Sequence, residues 1–272
     1  MPNLDAELAL RGVALHYADS GGDGEPVVFL HGAGADRSMF AAQRDALVRG
    51  GYRVVLADLR GHGASRPNTA QLTAELLTSD VESLVAHLGL QRPTLVGHSL
   101  GGNLAQRLVR RSPERWAALA VLDSTWNTGP LTRIERLALR SAAPLLRLVP
   151  ARTLPRMMAD ASAVTPAARV ELAAVFAQQS KAEFIAVWRA TAEFVEPDPE
   201  NRTPLPLLLL RGAADRTGNI ATAMPRWAAA EAIDEVVIED AGHVITLDAP
   251  DAVSAVLRRF LDGVTRAPSG GA

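Results

Sequence analysis

The sequence predicts an α/β domain built on a mostly parallel eight-stranded sheet flanked by helices, with a helical cap inserted after the sixth strand. Three observations predict it. Short runs such as Val27–Leu30 and Leu207–Leu210 are apolar on both faces, as strands buried inside a parallel sheet are. Stretches with apolar residues at i, i+3, i+4 and i+7 separate these runs, so strands and helices alternate. From about 124 to 204 the alternation stops, and only helical pattern punctuated by Pro130, Pro144, Pro150, Pro155 and Pro166 remains.

Taken in order, residues 6–18 read as an antiparallel hairpin joined at Arg11-Gly12. Buried strands follow at Val27–Leu30 and Val54–Ala57. Ser79 with Glu82 has the spacing of a capping box, opening a helix with Val81, Leu84, Val85 and Leu88 on one face. A strand at Thr94–Val96 runs into a helix over Asn103–Arg111, closed by Pro113, and Leu119–Leu122 is the sixth strand. The helical stretch ends in the proline-rich VEPDPENRTPLP. Strands at Leu207–Leu210 and Val236–Ile238 follow, then a helix carrying Val253, Val256, Leu257 and Phe260. Too long for an ordinary connection, the insertion is expected to pack as a lid over one sheet edge. The organisation is thus a core of residues 1–123 and 204–264, a cap of 124–203 and a flexible tail of 265–272.

Composition bounds the chemistry. With 272 residues, 48% hydrophobic and 21% charged, the chain has material for a large core, and extensive disorder is excluded. A net charge of −2 gives no overall basic field to attract nucleic acid. The lack of cysteine excludes disulfides, thiolate nucleophiles and Cys-ligated metals. No secretory signal opens the chain, and no apolar run suffices for stable membrane insertion, so a cytoplasmic location is expected. Basic charge comes from arginine, with Lys181 the single lysine, read as an exposed helix position.

The strongest motif is Gly97-His98-Ser99-Leu100-Gly101, a G-x-S-x-G between a strand and a helix. A turn that sharp strains the serine backbone, requires glycine on both sides, and lifts the Ser99 hydroxyl out at the carboxyl end of the sheet. A serine nucleophile needs a base. Of six histidines, His243 lies in a loop directly after strand Val236–Ile238, on that same edge, whereas His16 and His87 read as surface or packing residues. His98 precedes the serine and points away from its hydroxyl. The acid orienting His243 should also follow a strand. Asp215 does so after Leu210, and Asp123, directly after Leu122, competes with it; Asp240 is too close in sequence to His243. An oxyanion needs two N–H donors: Leu100, next to the nucleophile, and Ala33, in the His31-Gly32-Ala33-Gly34 loop that His31 braces. Read as a nucleotide loop, GAGADR is only a fragment of G-x-G-x-x-G without a Walker lysine.

HGAG, DLRGHGAS (58–65), GHSLGG (97–102), RGAADR (211–216) and AGH (241–243), in this order, resemble the α/β-hydrolase superfamily over residues 6–123 and 204–262. The resemblance implies that fold, a serine hydrolase of the small-molecule esterase, enol-lactonase or C–C hydrolase kind, and the chain order Ser99, Asp215, His243 for its catalytic residues. It makes Asp58, Arg60, Gly61, His62, Gly63 and Ser65 structural residues of a loop beside the site. Serine rather than aspartate at 99 speaks against dehalogenases and epoxide hydrolases, and Leu100 rather than methionine against the haloperoxidase branch. The expected reaction is hydrolysis of a carboxylic ester or lactone through a Ser99 acyl-enzyme. Alternatives are C–C cleavage of a diketone and a hydrolase-like ligand receptor. No cofactor and no metal are implied.

Gly32, His98, Trp126 and Trp188 are expected beside a small, apolar or aromatic substrate, with Met157, Met158, Phe176 and Phe194 as further candidates for the pocket wall. Removing the cap is expected to leave Ser99, His243 and Asp215 in place. Arg133, Arg136, Arg140 and Arg147 fall close to one helical face, followed by Arg152 and Arg156, with Glu135 the only acid between 133 and 156. That face reads either as a solvated one or as a surface for an anionic substrate or membrane. The oligomeric state is left open.

Overall fold

The computed structural model describes residues 4–266. Its strands are β1 (Leu4–Leu10), β2 (Val13–Asp19), β3 (Pro26–Leu30), β4 (Arg53–Ala57), β5 (Thr94–His98), β6 (Leu119–Leu122), β7 (Leu207–Gly212) and β8 (Val236–Ile238). Helices α1 (Ala41–Arg49), α2 (Ala74–His87) and α3 (Leu100–Arg111) connect the first six strands. Between β6 and β7 come α4 (Arg133–Leu146), α5 (Leu154–Ser162), α6 (Pro166–Phe176) and α7 (Lys181–Ala192). After β7 follow α8 (Ile220–Glu231), the short α9 (Ile245–Asp248) and α10 (Pro250–Arg266).

The strands form one sheet in the order β1-β2-β4-β3-β5-β6-β7-β8. β2 is antiparallel to β1 and β4, and all later pairings are parallel. Strand residues alternate between two cores. Val28, Leu30, Leu95, Val121 and Leu209 pack with α2, α3 and α8 residues such as Leu84, Leu104 and Met224. Val27, Phe29, Val96, Ala120 and Leu210 pack with Leu47 of α1 and Val253 and Leu257 of α10. Because both faces are covered, these strands are apolar throughout.

β3 has its successor β4 on one side and β5 on the other, so the chain order reverses there. Such switch points open a crevice at the carboxyl ends of the strands. The loops after β3 and β5 both leave from that place, with Leu30 paired to Gly97.

Three expectations are corrected. Ser79 does not cap a helix: α2 begins six residues earlier, where Thr73 Oγ1 accepts from the Leu76 N–H at 3.2 Å. Ser79 instead donates to the Leu76 carbonyl, and Asp80, beside it, turns inward to a buried ion pair with Arg60 at 2.6 Å. The Ser-x-x-Glu spacing fits a helix interior as well as a start. At the other end, Thr265 and Arg266 belong to α10 rather than to a tail, and the Thr265 hydroxyl donates to Leu261; residues 267–272 lie outside the described residues. Lys181 is not free in solvent: its Nζ donates to the carbonyls of Arg147 and Val149 just after α4.

The helical insertion leaves and rejoins the core at adjacent points. The Glu196 and Asp198 N–H groups donate to the Asn127 and Thr128 carbonyls. No helix among the described residues is long and apolar enough to cross a membrane.

Candidate active site

Ser99 stands between β5 and α3 with φ +50° and ψ −115°, a left-handed backbone that a non-glycine residue adopts only under constraint. The constraint is visible. Its N–H donates to the Leu122 carbonyl, and its own carbonyl accepts from the Asn103 N–H and the Ser124 hydroxyl. A side chain at Gly97 would overlap the Gly101 carbonyl, and one at Gly101 would overlap the Leu30 carbonyl. Only glycine lets the strand, the turn and the neighbouring strand approach this closely.

β7 and β8 deliver the other two groups. The Asp215 carboxylate accepts from His243 Nδ1 at 3.0 Å and from the Thr217 N–H at 2.8 Å. Burial alone would raise the Asp215 carboxyl, but the facing imidazole and these hydrogen bonds outweigh it and hold the group at about 2. His243 and Ser99 line the same cavity of about 470 Å³, together with Ala33 and His98. Asp215 is thus positioned to fix the ring so that Nε2 is the free nitrogen. Asp123 is also buried here, one oxygen accepting from the Gly212 N–H at 2.8 Å and the other without a partner among the described residues. Burial and then the neighbouring Asp215 drive its carboxyl well above the usual range. Donor atoms of Asp123, Asp215 and His243 lie within 4.8 Å of one another, with His243 Nδ1 committed to Asp215.

Two backbone N–H groups come from different loops, that of Ala33, whose residue lines the cavity, and that of Leu100, next in sequence to Ser99. Neither the Ala33 nor the Leu100 N–H has a backbone acceptor among the described residues, and Leu100 opens α3, where first-turn N–H groups favour negative charge. Gly32 lies under the serine: a Cβ there would meet His98 Nδ1 at 2.6 Å and Ser99 Cβ at 3.3 Å. His98 turns to the His243 loop, donating through Nε2 to the His243 carbonyl at 2.7 Å. His31 donates through Nδ1 to the Gly32 carbonyl and accepts the Leu59 N–H at Nε2, bracing its loop. Asp58 accepts from the Arg37 and Ala64 N–H groups, and the Ser65 hydroxyl donates to the Asp58 carbonyl, which locks the 58–65 loop beside them.

The insertion forms the cavity's outer wall. Met158, Val164, Phe176 and Trp188 line it, and Arg169 and Arg216 stand among the lining residues. Trp126 is elsewhere: it stacks on Trp227, 6.2 Å between centroids, in a separate crevice behind α3. β6 ends at Leu122, and by Trp126, three residues past Asp123, the chain packs against Trp227 and away from the serine's cavity. Phe194 borders that same crevice, and Met157 faces outward.

Sequence reasoning missed Asp248. Its carboxylate accepts from the Gly242, Val164 and Thr165 N–H groups and from the Thr165 hydroxyl, while the Val244 N–H donates to the Ser162 carbonyl. The elbow between α5 and α6 is therefore bonded directly to the loop carrying His243. An acid five residues past a loop histidine was the available signal.

A parallel sheet with a serine elbow after β5 and an acid and a histidine after β7 and β8 defines the α/β-hydrolase class. The chain belongs to it: the Alpha/beta hydrolase family matches residues 27–256. The chain is 27% identical over 265 residues to 3-oxoadipate enol-lactonase 2 of Acinetobacter baylyi, covering 93% of this chain and 96% of that one. It is 35% identical over 112 residues to the dihydrolipoyllysine-residue acetyltransferase component of the acetoin cleaving system of Cupriavidus necator, a match spanning 41% of this chain and only 30% of that protein. Among solved structures, a thermophilic esterase from Thermogutta terrifontis superposes with a TM-score of 0.74 at 28% identity, covering 96% of this chain and 99% of that one.

Proposed function

We propose that the protein cleaves a small ester or lactone with an apolar or aromatic acyl part, through an acyl-enzyme on Ser99. The observation that carries this reading is the strained Ser99 at the floor of a cavity it shares with His243, whose ring is tied to a buried, ionised Asp215 at 3.0 Å. In the proposed sequence His243 Nε2 takes the Ser99 proton as Oγ attacks the carbonyl carbon. The N–H groups of Ala33 and Leu100 receive the oxyanion. Collapse of the tetrahedral adduct expels the alcohol oxygen, which takes the proton from the imidazolium. A water then repeats the cycle on the acyl-enzyme, and the acid leaves. Asp215 stays ionised throughout and stabilises the imidazolium.

The cavity supports the substrate class. Its size lies in the range of small-molecule sites, and Met158, Val164, Phe176 and Trp188 give it an apolar wall. The names esterase and enol-lactonase among the relatives point the same way. The test is a panel of short activated esters and lactones with a fluorophosphonate label. Wild-type protein should turn over members of the panel and take up one label, and Ser99→Ala should do neither while melting at an unchanged temperature. Labelling that persists in Ser99→Ala would overturn the assignment.

A further inference from the structure

The outer side of the helical insertion carries a surface that hydrolysis does not use. On α4, Ile134 is 80% and Leu137 67% exposed, and Leu145 is 59% exposed near its end. Leu148, just beyond, is 80% exposed. Ile134, Leu137, Leu145 and Leu148 fall on one helical face at steps of three and four, with the half-buried Ser141 between them, so the four apolar side chains form one stripe along the helix. Leu139 and Leu146 lie on the other side and are half-buried. The stripe is therefore a second apolar face, pointing away from the protein. A soluble monomer seldom leaves several large aliphatic side chains together in water without a use for them.

Exposed arginines flank the stripe: Arg133, Arg136 and Arg147, then Arg152 and Arg156 on the continuing segment. Among the described residues no carboxylate lies within ion-pair distance of the first four, and Arg156 has only Asp160 at 3.8 Å. Glu135, on the same helix, is turned to the Thr132 N–H and Asn219 Nδ2 rather than to a guanidinium, and as a single acid it leaves the arginines in excess. Lys181 holds the end of the segment in place through the Arg147 and Val149 carbonyls.

We propose that this face docks on an anionic lipid surface, with α4 lying in the headgroup plane and Ile134, Leu137, Leu145 and Leu148 entering the acyl boundary. An exposed apolar stripe beside guanidinium groups is the pattern of a helix that lies on a membrane without crossing it. Phosphates match the guanidinium fork, and each basic side chain near a charged leaflet adds to binding. A second copy of this chain is a poorer occupant. In a two-fold pairing the same patch meets itself, which would set arginine against arginine. Met157 is also exposed, and the next residue, Met158, lines the cavity wall. Docking itself is independent of the chemistry proposed for Ser99.

The test is co-sedimentation with vesicles of phosphatidylcholine alone and of phosphatidylcholine with about a third phosphatidylglycerol. Protein should pellet with the anionic vesicles and be released by high salt. Replacing Arg133, Arg136 and Arg147 by Gln should weaken partitioning about a hundredfold. Ile134→Ser with Leu137→Ser and Leu148→Ser should weaken it at least about tenfold. All these side chains are exposed, so circular dichroism and melting should match wild type. Equal binding to neutral vesicles, binding unaffected by the Gln substitutions, or self-association without vesicle binding would each overturn the proposal.

Discussion

Asp123 and Asp215 are buried carboxyls one strand apart, and their surroundings drive them in opposite directions. Asp215 faces an imidazole and an N–H donor and is held at about 2 against the effect of burial. Asp123 has a single N–H donor and a carboxylate for a neighbour, so burial and repulsion drive its carboxyl well above the usual range. This asymmetry assigns the roles proposed for them. Asp215→Asn should lower kcat by about 10⁴-fold, as loss of an imidazole-orienting carboxylate does. Asp123→Asn should change kcat by less than about tenfold, since the amide oxygen still accepts the Gly212 N–H and no charge is lost. Steady-state rates on one activated ester decide it, and a more damaged Asp123 variant would reverse the assignment. Both carboxyls were legible in the sequence as residues closing strands. Which of them meets His243 was not, because that depends on the path of the loop after β8.

At the scale of elements, what was legible follows from burial. Strands covered on both faces must be apolar throughout, so the strands from β3 to β8 stood out as short runs, while β1 and β2 were legible as a hairpin through the Arg11-Gly12 turn; the Gly-flanked Ser99 stood out because its turn tolerates nothing larger. The insertion was less legible. Its prolines read as interruptions, yet Pro155 and Pro166 sit in the first turns of α5 and α6, where a missing N–H costs nothing, and Pro144 lies inside α4. Least legible was the bonding between the α5–α6 elbow and the His243 loop, which no local pattern encodes. It changes the expectation that the insertion can be removed without disturbing His243, since the Asp248 and Ser162 contacts would go with it. Asp248→Ala isolates this coupling. Losing a charged acceptor for three N–H groups and a hydroxyl should destabilise the fold by roughly 2–4 kcal/mol. It should also lower kcat on even the smallest ester at least about tenfold, because a looser His243 loop misplaces the base. Urea melts and kcat, measured together, check this. A destabilised variant with wild-type kcat would show that the elbow supports the fold without positioning His243.

For the whole molecule, three histidines outside the proposed chemistry set the response to acid. His62 and His98 are held at about 3, in both cases by burial first and by a neighbouring imidazole second. His31 is also lowered by burial, and its two ring nitrogens are committed to the Gly32 carbonyl and the Leu59 N–H, which suits only the neutral ring. In the unfolded chain each would titrate near about 6.5. A histidine depressed in this way contributes stability that is fully present above about pH 6.5 and is lost as pH falls toward its folded value, because the unfolded chain binds the extra proton. Asp215 extends the loss from about pH 4 toward about pH 2. Asp123 acts with the opposite sign: its raised carboxyl favours folding at low pH and withdraws that contribution as pH rises through its folded value. The histidines outnumber it, so acid should destabilise. Each proton taken up on unfolding is worth about 1.4 kcal/mol per pH unit; the three rings take up three and the raised carboxyl of Asp123 releases one, so the net slope is about 3 kcal/mol per unit below about pH 6. Urea unfolding at about pH 7.5, 6 and 5 measures that slope directly. His62→Gln, whose ring leaves Nε2 without a partner among the described residues, should reduce it by about half, roughly 1.4 kcal/mol per pH unit, while sparing the Ser99 cavity. Unfolding free energies that stay level across this range would mean that these rings accept protons in the folded protein, and that their burial does not hold them neutral.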